Sequence, residues 1–201
     1  MAKAMNQRKR APQMEPEERK LQLLRAGVAC MAAKGIGATK HADLARACNV
    51  SVPTIFTYFP NRDALVTSTL EEVGQRLIEA IVPPAEALPD PDERLAATAT
   101  LFCDLAVQEP DYVKVWLMWN MHFAPELQQQ FRKFEARLVD SLMQMIKDSI
   151  RTKKVDEDDI RDRAQVISAS SAFLAKMVFD GVSEARRDSF VEHILTSLVH
   201  D

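Results

Sequence analysis

Four hydroxyl side chains, Ser51, Thr54, Thr57 and Tyr58, recur within the run Ser-Val-Pro-Thr-Ile-Phe-Thr-Tyr. On an α-helix, residues three and four apart share a face, so Thr54, Thr57 and Tyr58 point outward together, with Ser51 and Val52 at the leading end. Short hydroxyls of this kind bond phosphate oxygens or base edges, and a threonine methyl meets a thymine methyl. Thr39 and Lys40 lie just upstream and suit phosphate contacts. Arg8, Lys9 and Arg10, followed by Pro12, form a basic arm suited to a narrow A·T-rich minor groove. Charge distribution agrees. Residues 1–65 carry 11 Lys and Arg against 5 Asp and Glu, whereas the whole chain is net −3. A basic head on an acidic body points to a polyanion at one end of the molecule; uneven solvation charge is the blander alternative.

Those side chains need helices to hold them. Leu21, Leu24, Val28 and Met31 fall at helical spacing before Gly35 and Gly37 stop the segment. A short helix is expected over His41 to Cys48, with Ala42, Ala45 and Cys48 inward, then a tight turn at Asn49-Val50-Ser51. Ser51 is placed to N-cap the next helix, Val52 to Tyr58, and Pro53 fits its first turn, where a missing N–H costs nothing. Two short helices at this spacing have the proportions of a helix-turn-helix, although an ordinary helical hairpin looks similar.

Beyond Pro60, Val66, Leu70, Val73, Leu77 and Ile81 stripe a long helix, and Pro83-Pro84 through Pro91 reads as a linker. Further apolar stripes follow Leu95, Leu127, Ile160 and Phe190. Periodicity predicts about nine helices, no strand and no internal repeat, an all-α chain.

Other chemistries find little support. His41, His122, His193 and His200 lack metal-ligand spacing, Gly35-Ile36-Gly37 lacks the strand and third glycine of a dinucleotide loop, and no Ser or Cys has a nucleophile-elbow context. We therefore expect no enzyme, metal or cofactor. Cys30, Cys48 and Cys103 read as reduced thiols. No apolar run has membrane-spanning length and no apolar stretch follows the basic N-terminus, so no membrane partner and a cytoplasmic location are expected.

Gly35-Ile36-Gly37, Ala42-Asp43-Leu44-Ala45, Val50-Ser51-Val52, Thr54-Ile55-Phe56, Tyr58-Phe59-Pro60 and Asn61-Arg62-Asp63-Ala64-Leu65 together resemble the TetR family signature over residues 18–70. The resemblance implies a basic arm (1–17), a three-helix DNA-binding domain (18–65) and a C-terminal domain (66–201) for ligand binding and dimerisation. It implies a homodimer on palindromic double-stranded DNA, with a contact to RNA polymerase as a further expectation. His41-Ala42-Asp43, Ser51-Val52, Phe56, Lys114-Val115-Trp116 and Trp119 also resemble the quorum-sensing regulators of LuxR/HapR type. One departure stands out: that branch has an asparagine late in the recognition helix where this chain has Thr57, and threonine cannot bond adenine bidentately. A ligand-released repressor of efflux or metabolic genes is the alternative, and a helical adaptor without DNA binding is the alternative from another class.

Trp116, Met118, Trp119, Asn120, Phe123 and Phe131 gather large side chains in the C-terminal part. They read either as core or as an apolar ligand pocket with polar handles, and the branch resemblance favours a pocket at Trp116 and Phe131. For dimerisation, small residues Ser168, Ser171, Ala172 and Ala175 permit close approach, and Phe190, Ile194 and Leu198 supply apolar area.

Overall fold

The computed structural model describes residues 14–150 and 156–199, in which nine α-helices and a short 3-10 turn account for the regular structure. Helix α1 spans Pro16–Lys34 and the 3-10 turn Ile36–Ala38. Then come α2 (His41–Ala47), α3 (Val52–Tyr58), α4 (Arg62–Glu86) and α5 (Pro91–Gln108). Last are α6 (Pro110–Asn120), α7 (Pro125–Ser149), α8 (Glu157–Phe179) and α9 (Glu184–Val199).

Local chemistry explains most of these boundaries. Proline occupies the first turn of α1, α3, α5, α6 and α7, where its missing N–H has no intrahelical partner to lose. Gly35 ends α1 at φ 90°, a left-handed value that an L side chain rarely adopts. Gly181 likewise ends α8 at φ 72°, with the Val182 N–H donating to the Met177 carbonyl at 2.9 Å. The expected linker at Pro83-Pro84 is instead the last turn of α4. Val82 and Ala85 are buried there with Leu95, Leu142 and Ile146, and this burial holds the turn despite two missing N–H donors.

Three apolar clusters lie along the molecule. Leu23, Leu44, Ile55, Phe59 and Leu65 unite α1, α2, α3 and the start of α4. Met31, Leu70, Val73, Trp116, Trp119 and Phe134 fill the middle. Leu95, Leu142, Ile146 and Ile160 close the far end with the last turn of α4. Helix α4 contributes to all three, and it runs unbroken across the expected 65–66 boundary. At 25 residues it is about 37 Å long, a shaft connecting the two ends. It packs tightly on its neighbours: a Cβ on Gly27 of α1 would lie 2.7 Å from Thr69 Oγ1, and one on Gly74 would lie 2.9 Å from Phe134 Cδ2.

Among the described residues, no helix is long and apolar enough to cross a membrane. No group of His, Cys, Asp or Glu among them is arranged to hold a metal ion.

Candidate nucleic-acid interface and internal cleft

Ser51 caps α3: its Oγ accepts from the Thr54 N–H at 3.3 Å and lies 2.8 Å from Thr54 Oγ1. The preceding turn places Asn49 at φ 52°, a left-handed conformation that asparagine tolerates better than most residues. The Val50 N–H then donates to the Ala45 carbonyl at 3.0 Å, closing α2. Ile55 and Phe59 are wholly buried, so α3 presents Ser51, Val52, Pro53, Phe56 and Thr57 to solvent, with Thr54 and Tyr58 half-buried at the margin. Thr57 Oγ1 donates to the Pro53 carbonyl at 3.2 Å, which leaves its lone pairs and methyl outward. Of the three hydroxyls expected to point outward, Thr57 is exposed and Thr54 and Tyr58 are half-buried.

The inner face of α2 differs from expectation. His41, Leu44 and Ala45 are buried and Ala42 is exposed, because the face is anchored by His41. The His41 Nε2–H donates to the Phe59 carbonyl at 2.8 Å, and its ring stacks on Phe56 with centroids 4.2 Å apart. This histidine clamps the start of α2 to the end of α3. Arg62, at the start of α4, donates to the Gly37 carbonyl at 2.7 Å and ties the shaft to the glycine turn. Neither role was legible from spacing, since each links residues 18 or 25 positions apart. A third brace is Asp43, whose carboxylate accepts from Lys34 Nζ at 2.5 Å and from the Lys40 N–H at 3.0 Å. The Lys34 bond, with help from the Lys40 backbone, holds the Asp43 carboxyl below its ordinary pKa.

The phosphate positions divide. Lys40 is exposed beside α2. Thr39 is fully buried, and its Oγ1 donates to the Gly35 carbonyl at 3.2 Å. A hydroxyl used inside a turn does not reach a phosphate, so Thr39 is corrected to a structural residue. Arg8, Lys9 and Arg10 lie outside the described residues.

The expected aromatic pocket also divides. Trp119 is 1% exposed, packs against Phe131 and Phe134 at 5.3 and 5.7 Å, and donates its Nε1–H to the Leu127 carbonyl at 3.0 Å. Trp119 and Phe131 are therefore core, and half-buried Met118 packs on that core. Phe123 is 87% exposed just beyond α6 and lies outside the cleft lining. The half-buried Asn120 lies on no wall of the internal cleft. Trp116 alone of the six lines that cleft, a cavity of about 60 Å³ among α4, α5, α6, α7, α8 and α9. Leu77, Ile78 and Ile81 of the α4 shaft form one wall. Trp116 is 3% exposed, and its Nε1–H has no hydrogen-bond partner. A buried donor left unpaired costs about 1–3 kcal/mol.

Residues 23–69 match the model of the family described as bacterial regulatory proteins, tetR family. Over 107 residues the chain is 32% identical to the HTH-type transcriptional regulator LuxR of Vibrio harveyi, a match covering 53% of this chain and 52% of that protein. Residues 23–69 are thus similar to the DNA-binding segment of the TetR family. The stretch matched to LuxR spans about half of that protein. FadR of Bacillus subtilis, solved in complex with stearoyl-CoA, superposes with a TM-score of 0.74 at 19% identity, over 89% of this chain and 97% of that one. A TetR-family regulator from Syntrophomonas wolfei, described as putative, gives 0.73 at 22% identity, over 92% and 97%. At these identities the structures establish the fold.

Of the expected dimerisation residues, Ser168 and Ala175 are buried within the chain, and Ser171, Ala172, Phe190, Ile194 and Leu198 are half-buried. Ser168 and Ala175, seven residues apart, share the buried side of α8 and are 7% and 0% exposed. Ser171, Phe190 and Ile194 line the cleft, and Ala172 packs on the central core. Half-buried Leu198 accepts a hydrogen bond from Arg163 through its carbonyl. The outward face of α8 instead carries Val166 at 45% exposure, Ala169, and Phe173 at 54%. Small residues chosen for close approach were used within the chain, where α8 meets α5 and α7.

Proposed function

We propose that this protein is a sequence-specific DNA-binding transcriptional regulator that acts as a homodimer on two-fold operators, of the LuxR-like quorum-sensing type. The observation that carries the reading is the exposed face of α3, held from behind by Ile55, Phe59 and the His41 clamp. It lies within the stretch that matches the family. Ser51, Val52, Thr54 and Thr57 read base edges, Tyr58 and Lys40 contact phosphates, and the 1–17 arm adds minor-groove affinity. The 18–65 segment is then the DNA-binding unit and 66–201 the sensing and dimerising unit, in the cytoplasm, with RNA polymerase as a further contact and no catalytic turnover.

Selection of genomic fragments by the purified protein tests this reading. The recovered sites should be imperfect palindromes, with half-sites about one helical turn or a multiple apart. On such a site, Lys40→Ala should weaken all sequences alike and flatten the salt slope by about one unit. Deletion of residues 1–11 should reduce affinity several-fold in the same titration, and altered base preference in the Lys40 variant would overturn its assigned role.

The dimer interface is the outward face of α8. Val166→Glu with Phe173→Glu should shift a micromolar sample toward monomer in sedimentation velocity without loss of helicity. A wild-type protein already monomeric at that concentration would refute the interface.

The cleft favours a second reading alongside the first, control by a small apolar ligand. The shaft supplies both the cleft wall, at Leu77, Ile78 and Ile81, and the anchor of the DNA-binding helices, at Arg62 and Leu65. FadR of Bacillus subtilis was solved with an acyl-CoA. A ligand that binds the DNA-competent and incompetent dimers unequally would move α4 and change the separation of the two recognition helices. Release of DNA by a metabolite extract is the expected outcome, and unchanged affinity across all extracts would sink ligand control.

A further inference from the structure

Helix α3 reads Val-Pro-Thr-Ile-Phe-Thr-Tyr, without an amide, a carboxylate or a cationic side chain. The strong hydrogen-bonding readers of the major groove are arginine or lysine on guanine, asparagine or glutamine on adenine, and carboxylates on cytosine. None of them stands on this helix. Arg46, with its side chain 79% exposed, belongs to α2, the helix that crosses the phosphate backbone in a pair of this kind. Asn61 caps α4, its Oδ1 accepting from the Ala64 N–H at 2.8 Å.

The hydroxyls of the face are partly committed as well. Thr57 gives its proton to the Pro53 carbonyl at 3.2 Å. Ser51 and Thr54 share a hydrogen bond at 2.8 Å, and the Ser51 oxygen also caps the Thr54 N–H. What the face offers beyond these bonds is apolar: Val52 is 37% exposed and Phe56 is 47% exposed. At a spacing of four residues they lie one above the other on the helix. The Phe56 ring is held in place. It stacks on His41 with centroids 4.2 Å and planes 10° apart, and His41 is fixed in turn by its bond to the Phe59 carbonyl at 2.8 Å. A ring ordered before binding loses little side-chain freedom when it docks.

Base edges in the major groove present nitrogen and oxygen donors and acceptors together with one apolar group, the C5-methyl of thymine. Resting on the DNA-binding reading above, we propose that Val52 and Phe56 set base specificity by packing on thymine methyls. His41 is then a positioning residue, which acts through the Phe56 ring. Cytosine carries hydrogen at C5 and leaves the two side chains unmatched, whereas 5-methylcytosine fills the same space as thymine.

An operator recovered by selection with the full-length protein tests this, each thymine of a half-site being replaced in turn by deoxyuridine. That change removes the methyl and keeps the base pair. At the positions facing Val52 and Phe56, affinity should fall about four-fold, and about fifteen-fold when both half-sites are changed together. With cytosine at such a position, 5-methylation should tighten binding by about the same four-fold. Val52→Ala and Phe56→Ala should each erase the difference between thymine and deoxyuridine at its own position and keep it at the other. A general loss of stability does not produce that position-by-position coupling. Should Phe56→Ala fail to fold, Val52→Ala decides, since Val52 is exposed in the first turn of α3. Equal affinity for thymine and deoxyuridine throughout the half-site, or a difference that persists in the variants, would overturn the proposal. The specific binding measured in those titrations would leave the DNA-binding reading standing, whereas failure to select any site would sink both.

Discussion

Thr57→Glu is expected to remove operator binding while leaving the folded protein intact. Thr57 is exposed on α3, and its only recorded hydrogen bond is to the Pro53 carbonyl one turn back. No buried partner is lost on substitution, so stability should change by less than about 0.5 kcal/mol. A carboxylate on the groove-facing side would instead confront the phosphates and the acceptor-rich edges of the bases. Like-charge contacts in an interface cost several kcal/mol, and about 3 kcal/mol corresponds to a ~100-fold loss. Electrophoretic shift or anisotropy titration on a selected operator reads this directly. Retention of wild-type affinity would mean that α3 does not enter the groove. Thr57→Asn is the companion experiment: asparagine bonds adenine bidentately and threonine does not. That variant should therefore change the preferred base near the middle of each half-site rather than overall affinity.

Trp119→Ala should be the most damaging single substitution for stability, and it separates a core role from a ligand-binding one. The indole touches Phe131 and Phe134, lies 3.6 Å from the position a Cβ on Gly74 would take, and donates to the Leu127 carbonyl. Truncating a buried tryptophan costs about 3–5 kcal/mol, or roughly 6–20 °C in Tm for a chain of this size. Phe123→Ala should change stability by less than about 0.5 kcal/mol, because the ring is 87% exposed. Differential scanning calorimetry of the two variants checks both values. A Trp119→Ala protein that melts like the wild type would overturn the central packing described here.

These contrasts show where each kind of information resides. The order of helices, the caps at Ser51 and Gly35, the short α2–α3 pair and the outward hydroxyls of α3 were all written locally. They depend on φ preferences, on side-chain-to-backbone bonds within three or four residues, and on a 3.6-residue period. The continuation of α4 through Pro83 and Pro84 was not, because burial of Val82 and Ala85 against distant helices overrides the loss of two backbone donors. Aromatic residues grouped in sequence from Trp116 to Phe131 were separated by the fold into cleft wall, core and open surface. Helical rotation and the helix end beyond Asn120 decide which way each ring points. For the same reason the small residues of α8 turned inward and left Val166 and Phe173 outside. The sequence by itself determined a basic helix-turn-helix head on a helical body. Only the tertiary structure decided which side chains close the His41 and Arg62 braces and which line the cleft. Each of these is a meeting of residues far apart in the chain, and no local propensity encodes such a meeting.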